Sequence, residues 1–357
     1  MNKQFWSQRI QNIEPYVPGE QPKDRKYVKL NTNENPYPPS PKVAEALKQV
    51  SAESLRLYPD PECGALVEAL AKAQGVKPSQ VFVGNGSDEV LAFCYLAFMD
   101  ENNPAVFPDI TYSFYPVYGQ FFQNHCRIVP VKEDFSMPLE EMMQDDGTVV
   151  LTNPNAPTGI GLPLSDIRRV LEANPNHVVI VDEAYVDFGG ESAVGLIAEY
   201  ENLLVVQTFS KSRSLAGMRI GFAYGNEDLI LALNAVKNSI NSYTLDRMAL
   251  AAAQAAVEDG AYTDDTCKKI AQTRENTAGK LKMLGFNVLP SQTNFLFASH
   301  KSVYAEVIFK KLREKGVLVR YFHKPRIDNF LRITVGTDEE MDILIKALTD
   351  ILEEEHA

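Results

Sequence analysis

Leu203-Leu204-Val205-Val206-Gln207-Thr208-Phe209-Ser210-Lys211-Ser212-Arg213-Ser214-Leu215-Ala216-Gly217-Met218-Arg219-Ile220-Gly221 runs an apolar strand into a hydroxyl-rich turn that presents one lysine. A second cation, Arg219, follows eight residues later, just before another apolar run. Burying an ammonium is costly and lowers its pKa, so a lysine at a half-buried strand-to-turn junction needs a reason. One reason is that the amine works as an amine, forming a Schiff base with a carbonyl. The alternative is a solvated loop lysine, one among 35 Lys and Arg. The neighbouring strand ends decide between the two.

Working outward, short apolar strands are expected at 81–83, 105–107, 127–131, 149–152, 178–181, 203–206 and 220–223. Helices are expected between them at 87–99, 112–120 and 165–172. Several of these strands are continuous apolar runs, which is how strands covered on both faces read. Strand-helix alternation argues for an α/β fold with a mostly parallel central sheet sandwiched by helices. After about residue 225 helices dominate, including an Ala-rich one at 245–257 and an amphipathic one at 264–284. Short strands near 295–298, 317–320 and 331–335 follow, with a helix before 317 that carries Val303, Val307, Ile308 and Leu312 on one face. A last helix opens on Thr337-Asp338-Glu339-Glu340, a capping-box pattern. This reads as a smaller α+β domain. Residues 1–43 carry Pro15, Pro18, Pro22, Pro36, Pro38, Pro39 and Pro41, which interrupt any helix, so they form an arm. The expected organisation is an arm at 1–43 packing with the small domain and a partner subunit, a large domain at 44–240 and a small one at 241–357.

Open parallel sheets place ligands beyond the carboxyl ends of their strands. After the strand at 81–83 comes Gly84-Asn85-Gly86-Ser87-Asp88-Glu89 and then a helix. The glycines allow a tight turn, and the free N–H groups of the helix start suit a phosphate; Ser87 also reads as a simple helix cap. After 149–152 comes Asn153-Pro154-Asn155-Ala156-Pro157-Thr158-Gly159, a rigid turn carrying amides. After 178–181 comes Asp182-Glu183-Ala184-Tyr185. A carboxylate at the end of an apolar strand needs a partner, such as a positively charged ring nitrogen, unless it is only a turn cap. Phosphate donors, a carboxylate, a phenol and an amine thus leave the same sheet edge.

Those groups match the needs of pyridoxal phosphate. Lys211 would bind the aldehyde and Asp182 would keep the pyridine nitrogen protonated, making the ring an electron sink. Tyr185 would hydrogen-bond the ring hydroxyl. Gly86, the Ser87 and Asp88 backbone groups, Thr208, Ser210 and Arg219 would hold the phosphate. Tyr112 reads equally as a ring stacked on the cofactor and as a core tyrosine at a helix start.

Composition bounds the reading. A chain of 357 residues can bury two cores, and 45% hydrophobic with 23% charged residues is ordinary for a globular protein. A net charge of -12 argues against nucleic acid or an anionic membrane as partner. Cys63, Cys94, Cys126 and Cys267 show no C-x-x-C spacing and the five histidines no H-x-x-x-H pair, so no metal site is expected. No run is long enough to span a membrane, and Met1 to Ile10 lacks an apolar leader, so a reduced cytoplasm is expected.

The set G-N-G-S-D-E, N-P-N-A-P-T-G, D-E-A-Y, S-K-x-x-x-L-A-G-M-R-I-G and F-L-R-I-T-V-G resembles the fold-type I pyridoxal-phosphate-dependent aminotransferases. The arm L-N-T-N-E-N-P and the connector L-Y-P-D-P are similar to those of histidinol-phosphate aminotransferases, and the likeness runs over nearly the whole chain. It implies a homodimer with shared active sites, in which Tyr58 reaches the partner's cofactor phosphate. Tyr16 and the Asn33-Glu34-Asn35 arm would help close the site. Arg332, with Arg320, would grip a substrate phosphate, and Arg332 would bind 2-oxoglutarate in the second half-reaction. Arg320 reads equally as a strand-end surface charge. One departure stands out: members usually read N-N-P-T-G, with the second Asn on the cofactor's ring hydroxyl, where this chain has Ala156. Either Asn155 substitutes or Tyr185 carries that bond alone. The implied reaction is amino transfer between L-histidinol phosphate and 2-oxoglutarate in histidine biosynthesis. The alternatives are a transaminase for aromatic or other amino acids, a threonine-phosphate-type decarboxylase of the same fold, and a non-catalytic module, against which Lys211, Asp182 and Arg219 speak.

Overall fold

The computed structural model describes residues 4–11 and 13–356. Its strands, in chain order, are β1 (Val28–Lys29), β2 (Val81–Gly84), β3 (Ala105–Pro108), β4 (Cys126–Val129), β5 (Thr148–Thr152), β6 (Val179–Asp182), β7 (Leu203–Thr208), β8 (Gly221–Gly225), β9 (Phe286–Val288), β10 (Phe295–His300), β11 (Val317–Leu318), β12 (Arg320–Tyr321) and β13 (Leu331–Thr334). A seven-stranded sheet has the order β2-β8-β7-β6-β5-β3-β4. β4, β3, β5, β6 and β7 pair in parallel, whereas β8 runs antiparallel between β7 and β2. The continuous apolar runs have the expected cause. Because side chains alternate across a strand, Val149, Leu151, Val179, Val181 and Val205 join one buried core, while Val150, Ile180, Leu204 and Val206 join the other. Burying each such side chain stabilises by about 1.5–3 kcal/mol, so both faces must be covered.

Helices Pro41–Gln49, Gly64–Gln74 and Leu164–Ala173 supply Val43, Leu66, Leu70, Ile167 and Val170 to the first core. Helices Gly86–Phe98 and Glu227–Ile240 supply Val90, Leu91, Phe93, Ile230 and Leu233 to the second. The expected boundary at 240/241 falls just before a helix that packs on the large sheet. Helix Arg247–Val257 places Ala249, Ala252, Ala253 and Ala256 in the first core of the large sheet. We therefore propose the division one helix later, after Glu258. An Ala-rich helix is apolar on every side, and its pattern does not say which core it joins.

The small domain is the antiparallel sheet β12-β13-β10-β9, backed by helices Gly260–Met283, Ala305–Glu314 and Asp338–His356. The expected strand at 317–320 divides in two. β11 pairs with β1 of the arm, and β12 turns to pair with β13. The arm is thus tied to the small domain, with Leu30 buried in its core. Of the expected helix face, Val303, Ile308 and Leu312 are buried, but Val307 is exposed. The expected capping box forms: Glu340 N donates to Thr337 Oγ1 and Thr337 N donates to Glu340 Oε2.

Candidate active site

β5, β6 and β7 end at Thr152, Asp182 and Thr208, and a cavity of about 300 Å³ lies beyond them. Tyr16, Asn33, Ser87, Asp88, Tyr112, Asp182, Tyr185, Thr208, Ser210, Lys211, Arg219, Arg320 and Arg332 all line it. These residues come from both domains and the arm.

The amine end is set by the turn after β7. Lys211 Nζ lies 3.4 Å from the Thr32 carbonyl and 5.7 Å from the Tyr185 ring centroid. Asn35 Nδ2 holds the turn itself, donating to the carbonyls of Lys211 and Ser212 at 3.2 and 3.1 Å. Across the cavity Asp182 is buried, its Oδ2 accepting from Tyr115 Oη at 2.8 Å and its Oδ1 from Ala184 N at 3.2 Å. Burial pushes the Asp182 carboxyl up to about 6 despite those two donors. Such a carboxylate is electrostatically incomplete and suits a cationic partner. The adjacent Glu183 is pushed by burial to about 7, but it faces Ser192, Ala193 and Gln207 and holds a turn.

The end suited to a phosphate is built where β8 meets the start of helix Gly86–Phe98. That helix has no side-chain cap at its first turn, so its leading N–H groups are available to an anion. Thr208 Oγ1 and Ser210 Oγ lie 3.0 Å apart, and Arg219 Nη2 reaches Asp88 Oδ2 at 3.2 Å. Gly86 has φ +82, and a methyl there would sit 2.6 Å from Arg219 Nη2. At Gly221 a Cβ would overlap the backbone of Gly86 and Ser87, so this glycine lets β8 approach the helix start.

Tyr112 falls before the helix rather than in it, because that helix is Tyr115–Phe122 and not 112–120. Its hydroxyl donates to Asp88 Oδ1 at 2.7 Å, and burial holds the phenol well above its ordinary pKa, so it stays a donor. Tyr16 stacks on Phe114 with centroids 4.4 Å apart and closes the same side.

Asn155 does not line the cavity. Its side chain is buried, and Nδ2 donates to the Ile110 carbonyl at 3.0 Å and to Thr158 Oγ1 at 2.9 Å. Of the two alternatives for the amide missing at 156, this placement favours Tyr185 alone over Asn155: Ala156 and Tyr185 line the cavity, whereas Asn155 Nδ2 is turned into the protein. Tyr58 is also outside the cavity of its own chain, 78% exposed and stacked on Tyr243 at 4.5 Å.

On the small-domain side of the cavity Arg320 and Arg332 stand directly opposite on β12 and β13. Arg332 donates to the Asn31 carbonyl at 3.1 Å, its Nε is buried without a partner, and burial lowers its pKa. Phe295 and Phe322 lie 5.4 and 5.6 Å from its guanidinium carbon. Like charges facing across a ladder destabilise it, so an anion between them is the natural complement.

Sequence reasoning missed Tyr115, which holds Asp182, and Thr334, which holds Asn33. The aromatic run Thr111-Tyr112-Ser113-Phe114-Tyr115 after β3 is the signal for the first; none marks the second.

The chain is similar to known proteins along nearly its whole length. Residues 25–348 match the family model described as aminotransferase class I and II. The histidinol-phosphate aminotransferase of Acinetobacter baumannii is 58% identical over 352 residues, 98% of each chain. That of Clostridium acetobutylicum is 56% identical over 337 residues, 94% of this chain and 96% of the relative. Among solved structures, the histidinol-phosphate aminotransferase from Sinorhizobium meliloti in complex with pyridoxal-5'-phosphate superposes with a TM-score of 0.85 at 26% identity, covering 93% of this chain and 92% of that one. With an amine, a buried carboxylate and an uncapped helix start facing one cavity, this chain belongs to the aminotransferase class I and II family.

Proposed function

We propose that this chain is a pyridoxal-phosphate-dependent histidinol-phosphate aminotransferase. It exchanges an amino group between L-histidinol phosphate and 2-oxoglutarate, giving imidazole acetol phosphate and L-glutamate in histidine biosynthesis. The observation that carries the substrate reading is the pair Arg320 and Arg332, opposed on neighbouring strands at the lip of the cavity that holds Lys211. Two guanidinium groups suit a phosphate dianion and equally the carboxylates of 2-oxoglutarate.

The cofactor, when bound, supplies an aldehyde for amine chemistry and a protonated ring that withdraws electrons. The residues of this chain do the rest. Asp182, fixed by Tyr115 and Ala184, keeps a proton on the ring nitrogen. Gly86, the Ser87 and Asp88 backbone groups, Thr208, Ser210 and Arg219 bind the phosphate. Tyr112 covers the ring, with its hydroxyl anchored on Asp88. Lys211 Nζ, placed in the cavity beside the Thr32 carbonyl and the Tyr185 ring, would hold the cofactor's aldehyde and would move the proton at the amino-bearing carbon of the substrate. Tyr16 and Asn33 exclude water from the arm side.

The assembly we assign is a homodimer. Tyr58, exposed beside the exposed Leu55 and Leu57, supports it, because such a surface suits a partner onto whose cofactor phosphate the phenol reaches. A purely monomeric sedimentation profile would exclude it. No helix of the described residues is long and apolar enough to cross a membrane. The four cysteines are free, which suits the reducing cytoplasm we assign.

The test is a panel of amino donors with 2-oxoglutarate, read as glutamate and carbon dioxide. L-Histidinol phosphate should give glutamate with the highest kcat/KM. Preference for an aromatic amino acid, or release of carbon dioxide from a threonine-phosphate donor, would overturn the assignment.

A further inference from the structure

Tyr185 Oη is met by one buried amide, and the network behind that amide has only one consistent orientation. Asn33 N donates to Thr334 Oγ1 at 3.0 Å, and Thr334 Oγ1 lies 3.0 Å from Asn33 Oδ1. Both residues are buried. If the Thr334 hydroxyl accepts from the Asn33 backbone, its own proton must go to Asn33 Oδ1. The reversed amide would leave a buried hydroxyl with two donors and no acceptor. The Asn33 amide nitrogen therefore faces Tyr185, at 3.0 Å. A phenol oxygen that accepts from an amide keeps its own proton to give, and Tyr185 lines the cavity.

Asn33 is held in this posture from three sides. Its backbone lies at φ +56, which Asn tolerates better than most residues. Asn294 Nδ2 donates to its carbonyl at 2.9 Å, and Thr334 N donates to the Leu30 carbonyl at 3.0 Å, tying the arm to β13. Among the described residues, Lys211 from the turn after β7 and Arg332 from β13 face Tyr185. Meanwhile Ala156 lines the cavity without a polar side chain, and the Asn155 amide nitrogen donates to Ile110 and Thr158 away from it.

We infer that Asn33 and Thr334 fix the direction in which Tyr185 donates, and so make Tyr185 the donor to the cofactor's ring oxygen that position 156 lacks. Both are positioning residues, and the inference rests on the cofactor reading above. A donor to that oxygen stabilises it as an anion, and losing the donor strengthens its hold on the neighbouring proton.

The experiment is a pH titration of the holoenzyme's visible absorption band. Asn33→Asp keeps the shape but replaces the donor by an acceptor, and should raise the midpoint by about one unit, a tenfold change in proton affinity. Thr334→Val should move it in the same direction, and Thr334→Ser should restore it. Tyr185→Phe should raise it as well, and Asn33→Asp should then add nothing, because the two act as one unit. An unchanged midpoint in folded Asn33→Asp, or an equal shift with and without Tyr185, overturns the inference. Should the Asn33 variant not fold, the Thr334 pair decides alone, and equal midpoints for Val and Ser overturn it too. A wild-type protein with no band overturns the cofactor reading, and this inference with it.

Discussion

Asp182→Asn should act in opposite senses on the protein with and without cofactor. Burial raises the Asp182 carboxyl from 3.8 to about 6. A shift of roughly two units corresponds to about 3 kcal/mol between the protonation states. Between about pH 4 and 6 the folded cofactor-free protein holds a proton that the unfolded chain has lost. Its stability is therefore fully present below pH 4 and falls as pH rises through 6. Glu183, raised to about 7, adds a decline of its own that extends to neutral pH. Asn at 182 removes the first decline and leaves the second. It also disturbs the bonds to Tyr115 and Ala184, at a cost of about 1 kcal/mol. The cofactor-free variant should thus be about 2 kcal/mol more stable than wild type at pH 8 and about 1 kcal/mol less stable at pH 4. Urea unfolding at both pH values reads this directly. With cofactor the order should reverse, because Asn cannot pair with a protonated ring nitrogen, and the dissociation constant should rise at least about tenfold, or 1.4 kcal/mol. Parallel stability curves for the two cofactor-free proteins across pH 4–8 would refute the reasoning.

Four other substitutions probe the cavity and its supports. Arg332→Ala should raise KM for both L-histidinol phosphate and 2-oxoglutarate by roughly 30-fold, the worth of a charged hydrogen bond of about 2 kcal/mol, and Arg320→Ala should affect the phosphate donor more than the keto acid; initial-rate kinetics check both. Gly221→Ala should push β8 off the helix start, cost about 1–3 kcal/mol in unfolding experiments and weaken cofactor binding measured by absorbance titration. Asn155→Ala should leave the visible band and turnover unaltered while lowering stability by about 1–2 kcal/mol, because the Ile110 carbonyl loses its donor.

The parts legible in the sequence were those whose meaning is local. Lys211, Asp182 and Ser87 each follow an apolar strand or open a helix, so their place at one sheet edge follows from strand-helix alternation. Arg219 was legible for the same reason, at the mouth of β8. What was not legible depends on contacts across the chain. Asn33 and Thr334 are 301 residues apart and meet because the arm runs beside β13. Asn155 and Ala156 are neighbours in one rigid turn, and only the turn's backbone decides which faces the cavity. Helix Arg247–Val257 joins the large core through alanines that would fit either domain. The split of 317–320 into β11 and β12 arises because the arm supplies β1 as a partner, which no period in that segment announces.

The proposed reaction depends on the amine at position 211 carrying the cofactor. Borohydride reduction of the yellow holoenzyme, followed by peptide mass mapping, tests it most directly. One reduced pyridoxyl adduct per chain is expected, on the peptide containing Lys211, with the visible band lost on reduction. An adduct on another lysine, or a protein that takes up no cofactor and stays unlabelled, would contradict it.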